Sequence, residues 1–196
     1  MKKKVIFVHG YGLAAPLETE DWPGTLGCEL KKQGFDFQLL LMPEAAYPAI
    51  SEWLIFLVKQ NIKVNENTYF VGHSLGCITI ARFLEKLPEG VMAGGCVFVS
   101  GFCSLPQIPL LKEFCNLPLD FSEVKRHSRD FAVVVSDNDH IIPLVRSQEL
   151  AERLGARVIV ERNMGHFISG VKEVPSVLNT ILEMAQMTEE RKEMKN

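Results

Sequence analysis

No stretch of this chain approaches the ~18 consecutive apolar residues that a membrane-spanning helix needs. A helical membrane anchor is therefore not expected. The start, Met1-Lys2-Lys3-Lys4, is basic, but the apolar run behind it, Val5 to Val8, is far too short for the core of a secretory signal. Positive charge is not in surplus either: 21 Lys and Arg stand against 24 Asp and Glu, a formal net charge of −3 over 196 residues. No basic surplus points to nucleic acid, and no arginine pair is arranged for a phosphate or carboxylate. Cysteine is sparse and unpaired in pattern. Cys28, Cys77, Cys96, Cys103 and Cys115 make an odd count without a C-x-x-C. That argues against a disulfide framework, and no His/Cys cluster has the spacing of metal ligands. The thiols are read as reduced, and the cytoplasm is the expected compartment. No metal, cofactor, nucleic acid or membrane is expected as a partner. Internal repeats, low-complexity tracts and linkers are absent as well. A single domain over residues 1–187 is the consequence, with a charged tail, 188–196, expected to fray.

What is present is an ordinary globular composition, 47% apolar and 23% charged, arranged in alternating strand and helix patterns. Continuous apolar runs read as strands buried on both faces: Lys4–His9, Phe35–Leu41, Thr68–Gly72, Ala93–Ser100, Phe131–Ser136 and Arg157–Val160. Helical spacing follows each in turn, over about 22–31, 48–60, 75–87, 121–127, 143–154 and 171–187. Gly101 to about Leu119 has no clear period and reads as an irregular loop, with a short helix near 110–114. Strands alternating with helices at these lengths predict an α/β fold, an open parallel sheet with helices on both faces.

The segment Thr68-Tyr69-Phe70-Val71-Gly72-His73-Ser74-Leu75-Gly76-Cys77-Ile78 carries the chemistry. A strand that enters a helix through Gly-x-Ser-x-Gly is a nucleophile elbow. The turn is so tight that the serine takes a strained backbone, and side chains two before and two after it would strike neighbouring backbone. The turn lifts the Ser74 hydroxyl clear and aims a helix N-terminus at any anion formed beside it.

A serine hydroxyl is a weak nucleophile and needs a base, which in turn needs an orienting group. In open α/β sheets such groups collect at the carboxyl ends of the strands. His9 and His73 lie beside the first loop and the elbow, His127 falls on a helix, and His140 is adjacent to Asp139 and poorly placed to face it. His166, in the Gly-containing turn after the last strand, is the candidate base. The acid comes from the loop after the fifth strand, which holds Asp137 and Asp139. Asp139, four residues before the helix-starting Pro143, is favoured; Asp137 suits a turn that caps local N–H groups. The order serine, acid, histidine fits. Oxyanion donors are expected from the backbone N–H of Leu75 and, in the His9-Gly10-Tyr11-Gly12 loop, of Tyr11. Leu13, Phe102, Ile141 and Phe167 flank this region as candidate acyl-pocket residues.

Taken together, His9-Gly10, Gly72-His73-Ser74-Leu75-Gly76, Asp139-x-x-Ile142-Pro143 and Gly165-His166-Phe167 resemble the α/β-hydrolase superfamily. The chain is similar to its small serine hydrolases of the YdeN and retinoblastoma-binding-protein-9 type. Val99-Ser100-Gly101 and Pro43 followed by a Trp53-bearing helix belong to the same likeness, which runs from about residue 4 to 187. It implies a compact three-layer α/β/α fold, a six-stranded sheet of order 2-1-3-4-5-6 without a large lid, and a Ser-Asp-His triad. A serine hydrolase acting on a small-molecule ester or related acyl bond is the expected activity. A catalytically silent binding module on the same fold is the alternative. Retinoblastoma-type binding is not expected: that motif, Leu-x-Cys-x-Glu, is broken in Leu26-Gly27-Cys28-Glu29-Leu30.

Overall fold

The computed structural model describes residues 2–12, 21–104, 111–168 and 170–194. Six strands form one parallel sheet: β1 Lys4–Val8, β2 Asp36–Leu40, β3 Thr68–His73, β4 Gly95–Val99, β5 Phe131–Ser136 and β6 Arg157–Glu161. Their order is β2-β1-β3-β4-β5-β6, as the sequence reading expected. The helices are α1 Trp22–Lys32, α2 Ile50–Lys59, α3 Leu75–Leu84, α4 Lys112–Cys115, α5 Phe121–Arg126, α6 Leu144–Leu154 and α7 Pro175–Glu193.

Strand side chains alternate between two separate cores, which is why the strands read as unbroken apolar runs. Val5 and Phe7, Tyr69 and Val71, and Val97 and Val99 face α1 and α7. Ile6 and Val8, Phe70, Cys96 and Phe98 face the opposite layer, built on α2, α3, α5 and α6. Strand order reverses between β1 and β3. The chain leaves β1 toward one face and β3 toward the other, so a crevice opens at the carboxyl ends of these two strands. Register places Val8 beside Gly72 and His73 beside Val99, so the loops that follow share that rim.

One expectation is corrected at the C-terminus. The last helix starts at Pro175, not Val171, and continues through Glu193. Proline suits the first helical position, where no intrahelical N–H is needed. The charged segment does not fray from residue 188. Thr188 is buried, Arg191 pairs with Asp130 at 3.2 Å, and Lys192 reaches Glu66 at 3.3 Å and Asn67 at 2.9 Å. Charged residues read as a solvated tail are here one face of a helix docked on the edge of the fold.

Candidate active site

β3 runs directly into α3, with Ser74 between them at φ 54° and ψ −118°. A non-glycine residue in that region costs on the order of 1–3 kcal/mol. Glycine on either side makes the turn possible. A Cβ on Gly72 would lie 2.7 Å from the Cys77 nitrogen, and one on Gly76 would run into the Val8 carbonyl oxygen. The Ser74 N–H donates to the Val99 carbonyl at 2.9 Å, which ties the elbow to β4. The loop after β1 lies against the serine itself: a Cβ on Gly10 would come 2.8 Å from Ser74 Cβ and 3.4 Å from its Oγ. His9 holds this loop from below. Its Nδ1–H donates to the Gly10 carbonyl at 2.6 Å and its Nε2 accepts the Met42 N–H at 2.9 Å. Burial lowers the His9 pKa, so it stays a neutral scaffold.

Asp139 and His166 meet in a buried pair, with Nδ1 of the imidazole 2.8 Å from Oδ2 of the carboxylate. The other oxygen, Oδ1, accepts the N–H groups of Ile141 at 2.9 Å and Ile142 at 2.8 Å. The Ser100 hydroxyl donates to Oδ2 at 2.6 Å. Burial by itself would raise the Asp139 pKa. Hydrogen bonds from His166, Ser100 and the Ile142 N–H outweigh it and hold the carboxyl below its ordinary value. Asp137 takes a different part. It is exposed, and its Oδ1 accepts the Asn163 N–H at 2.8 Å. It caps backbone as a turn aspartate does, but in the neighbouring loop rather than its own.

The loop that carries His166 is gripped from both sides. Above, Asn138 Oδ1 accepts the Gly165 N–H at 2.8 Å and Ser136 Oγ accepts the Met164 N–H at 3.0 Å. Below, His73 Nε2–H donates to the His166 carbonyl at 2.8 Å, and Trp22 Nε1–H donates to the Phe167 carbonyl at 2.8 Å. Phe167 itself sits at φ 54°. The His73 ring lies 5.0 Å from the His166 ring and 5.9 Å from the Trp22 ring. Burial drives the His73 pKa down to about 3, and the neighbouring His166 acts in the same direction. His73 is therefore neutral, with its proton on Nε2. The base candidate thus packs against the residue that immediately precedes Ser74.

A cavity of about 250 Å³ opens beside the elbow, with walls that include Gly10, Tyr11, Trp22, His73, Phe167 and Val171. Of the expected pocket residues among those described, Phe167 is the one in its walls. Phe102 is fully buried in the α2–α3–α6 core, where its ring is worth more as packing than as a rim. Ile141 is partly exposed and contributes its backbone N–H to Asp139. Leu13 lies outside the described residues. Trp22, His73 and Ser100 were not singled out for the site by sequence. Ser100 had one signal, its place in Val99-Ser100-Gly101 at a strand end. His73 had its place inside the elbow motif, but as a rejected base rather than a support; Trp22 had none that separated it from core.

The parallel sheet, its strand order and the strained elbow define an α/β-hydrolase fold. A model of the serine hydrolase family matches residues 5–182, and the chain belongs to that family. The putative hydrolase YdeN of Bacillus subtilis (strain 168) is 34% identical over 184 residues, covering 92% of this chain and 95% of YdeN. Serine hydrolase RBBP9 of Rattus norvegicus is 25% identical over 167 residues, 84% of this chain and 87% of its own. The crystal structure of the B. subtilis ydeN product superposes with a TM-score of 0.87 at 33% identity, over 94% of this chain and all of that one. Est1E from Butyrivibrio proteoclasticus shares the fold alone, with a TM-score of 0.69 at 13% identity over 94% of this chain and 89% of its own. The protein is thus a hydrolase of the serine type.

Proposed function

We propose that this hydrolase cleaves a small ester or related acyl bond through an acyl-enzyme on Ser74, with His166 as base and Asp139 as its orienting acid. The observation that carries this reading is the buried Asp139–His166 pair at 2.8 Å, set against the ring of the residue before a strained serine. Ser74 Oγ bonds to the acyl carbon while His166 Nε2 takes the hydroxyl proton, and the carbonyl electrons pass to its oxygen. Collapse breaks the bond to the leaving oxygen, which takes the proton back from His166. Water then repeats the sequence and frees the acid. Asp139 fixes the imidazole tautomer and stabilises the imidazolium. The N–H of Leu75, first residue of α3 and without a partner inside the helix, and that of Tyr11 hold the oxyanion. The neighbouring cavity has Phe7, Trp22, Phe167 and Val171 in its walls and, among the described residues, no cationic side chain in its lining, which favours an uncharged acyl group.

Cys28, Cys77, Cys96 and Cys103 carry free thiols, which suits the cytoplasm as the working compartment. A retinoblastoma-type partner is not proposed. Leu26 and Leu30 are buried in α1, so neither leucine of the broken motif is offered to a partner. Short-chain p-nitrophenyl esters test the activity. Folded wild type should release p-nitrophenol with an initial burst, and Ser74→Ala and His166→Ala should abolish turnover. No cleavage of any such ester by folded protein, or undiminished rates in either variant, would overturn the proposal.

A further inference from the structure

Two serines stand at the ends of neighbouring strands in the left-handed region: Ser74 after β3, at φ 54°, and Ser100 after β4, at φ 48°. The elbow explains the first. Nothing in the fold itself asks for serine at the second. A turn at φ 48° is met without strain by glycine, which is the residue that follows. Ser100 is buried, its N–H donates to the Val134 carbonyl at 2.9 Å, and its hydroxyl donates to Asp139 Oδ2 at 2.6 Å. That oxygen is the one that accepts His166 Nδ1–H. Strain kept at a buried position is retained where the side chain is needed there.

We infer that Ser100 is a positioning residue for the reaction proposed above, and the inference rests on that reading of the site. With the Ile141 and Ile142 N–H groups on Oδ1, the Ser100 hydroxyl is the donor that fixes the second oxygen. Without it Oδ2 is held only by the imidazole that it has to orient, and the carboxylate can rotate about the Cβ–Cγ bond. The imidazole then loses its orientation relative to Ser74. Ser100 touches neither substrate nor reacting atoms and acts through Asp139 and His166.

The test is Ser100→Gly, with Ser100→Ala alongside. Glycine removes the hydroxyl and the backbone strain together, so the melting temperature should hold. Alanine removes the hydroxyl and leaves the strain. Both should lower kcat on a short p-nitrophenyl ester about 10–10²-fold, with KM within about twofold. In an Asp139→Asn background, Ser100→Gly should lower kcat by no more than about twofold, because the two groups act as one unit. Unchanged kcat in either folded variant overturns the inference while leaving Ser74 catalysis intact. Full additivity with Asp139→Asn overturns it too, as does loss of activity that tracks unfolding in both variants. A wild type that cleaves no ester removes the reading of the site, and the inference with it.

Discussion

The elbow and the loop that carries His166 are held in place by different means. Ser74 is fixed by sterics centred on a five-residue turn: Gly72 and Gly76 bring strand, helix and β1 so close that no side chain fits between them. The His166 loop has no such constraint of its own. It is fixed by hydrogen bonds from side chains far along the chain, Ser136 and Asn138 on one side, His73 and Trp22 on the other. The nucleophile is thus set by backbone shape and the base by polar contacts. The first should break all at once, whereas the second should loosen by degrees and respond to pH.

Gly76→Ala should separate the two most sharply. The added methyl meets the Val8 carbonyl, which is backbone and cannot give way. The expected loss is about 3 kcal/mol or more, seen as a lower midpoint in urea or as failure to fold. A folded variant of wild-type stability would mean that the elbow is not sterically fixed.

A smaller effect comes from the histidine under the base. His73 is neutral in the fold down to about pH 3. The unfolded chain takes up that proton below about pH 6.5. The unfolded state therefore binds more protons between these values, and stability falls as pH is lowered through that window. The slope is about 1.4 kcal/mol per pH unit for one such group, or roughly 2 kcal/mol between pH 6.5 and 5. His73→Gln keeps an N–H donor for the His166 carbonyl and removes the titration. Urea unfolding at several pH values should show a shallower acid slope in this variant. The buried His9, lowered in the same direction, leaves a remainder. An identical slope in both proteins would contradict the assignment.

Trp22→Phe should have the smallest effect of the three. It keeps an aromatic ring against Phe7 and His73 but leaves the Phe167 carbonyl without its donor. A loss of about 1–2 kcal/mol is expected, with kcat falling more than KM rises. Equal kcat would mean that the grip on Phe167 does not reach His166.

The same contrast explains what the chain made legible. The elbow is a local pattern, and its five residues state their own geometry. Asp139 and His166 could be placed from strand ends and chain order, because the sheet brings all those ends to one rim. Strand order came from family likeness and was met in full. Partners that close the site could not be read: Trp22 lies 145 positions from Phe167, and Ser100 lies 39 from Asp139. Side chains of this kind look like core until the fold brings them together. Phe102 went to the core for the converse reason, since flanking a site in sequence does not decide which way a side chain turns. The extension of α7 was missed because its charged face finds Glu66 and Asp130 across the fold, partners that its own periodicity does not announce.

Labelling with a fluorophosphonate, followed by peptide mapping, tests the central claim most directly. The account predicts one adduct, on Ser74, formed rapidly in wild type, slowed severely in His166→Ala and absent in Ser74→Ala. A folded wild-type protein that takes no label, or one labelled at another serine, would contradict it.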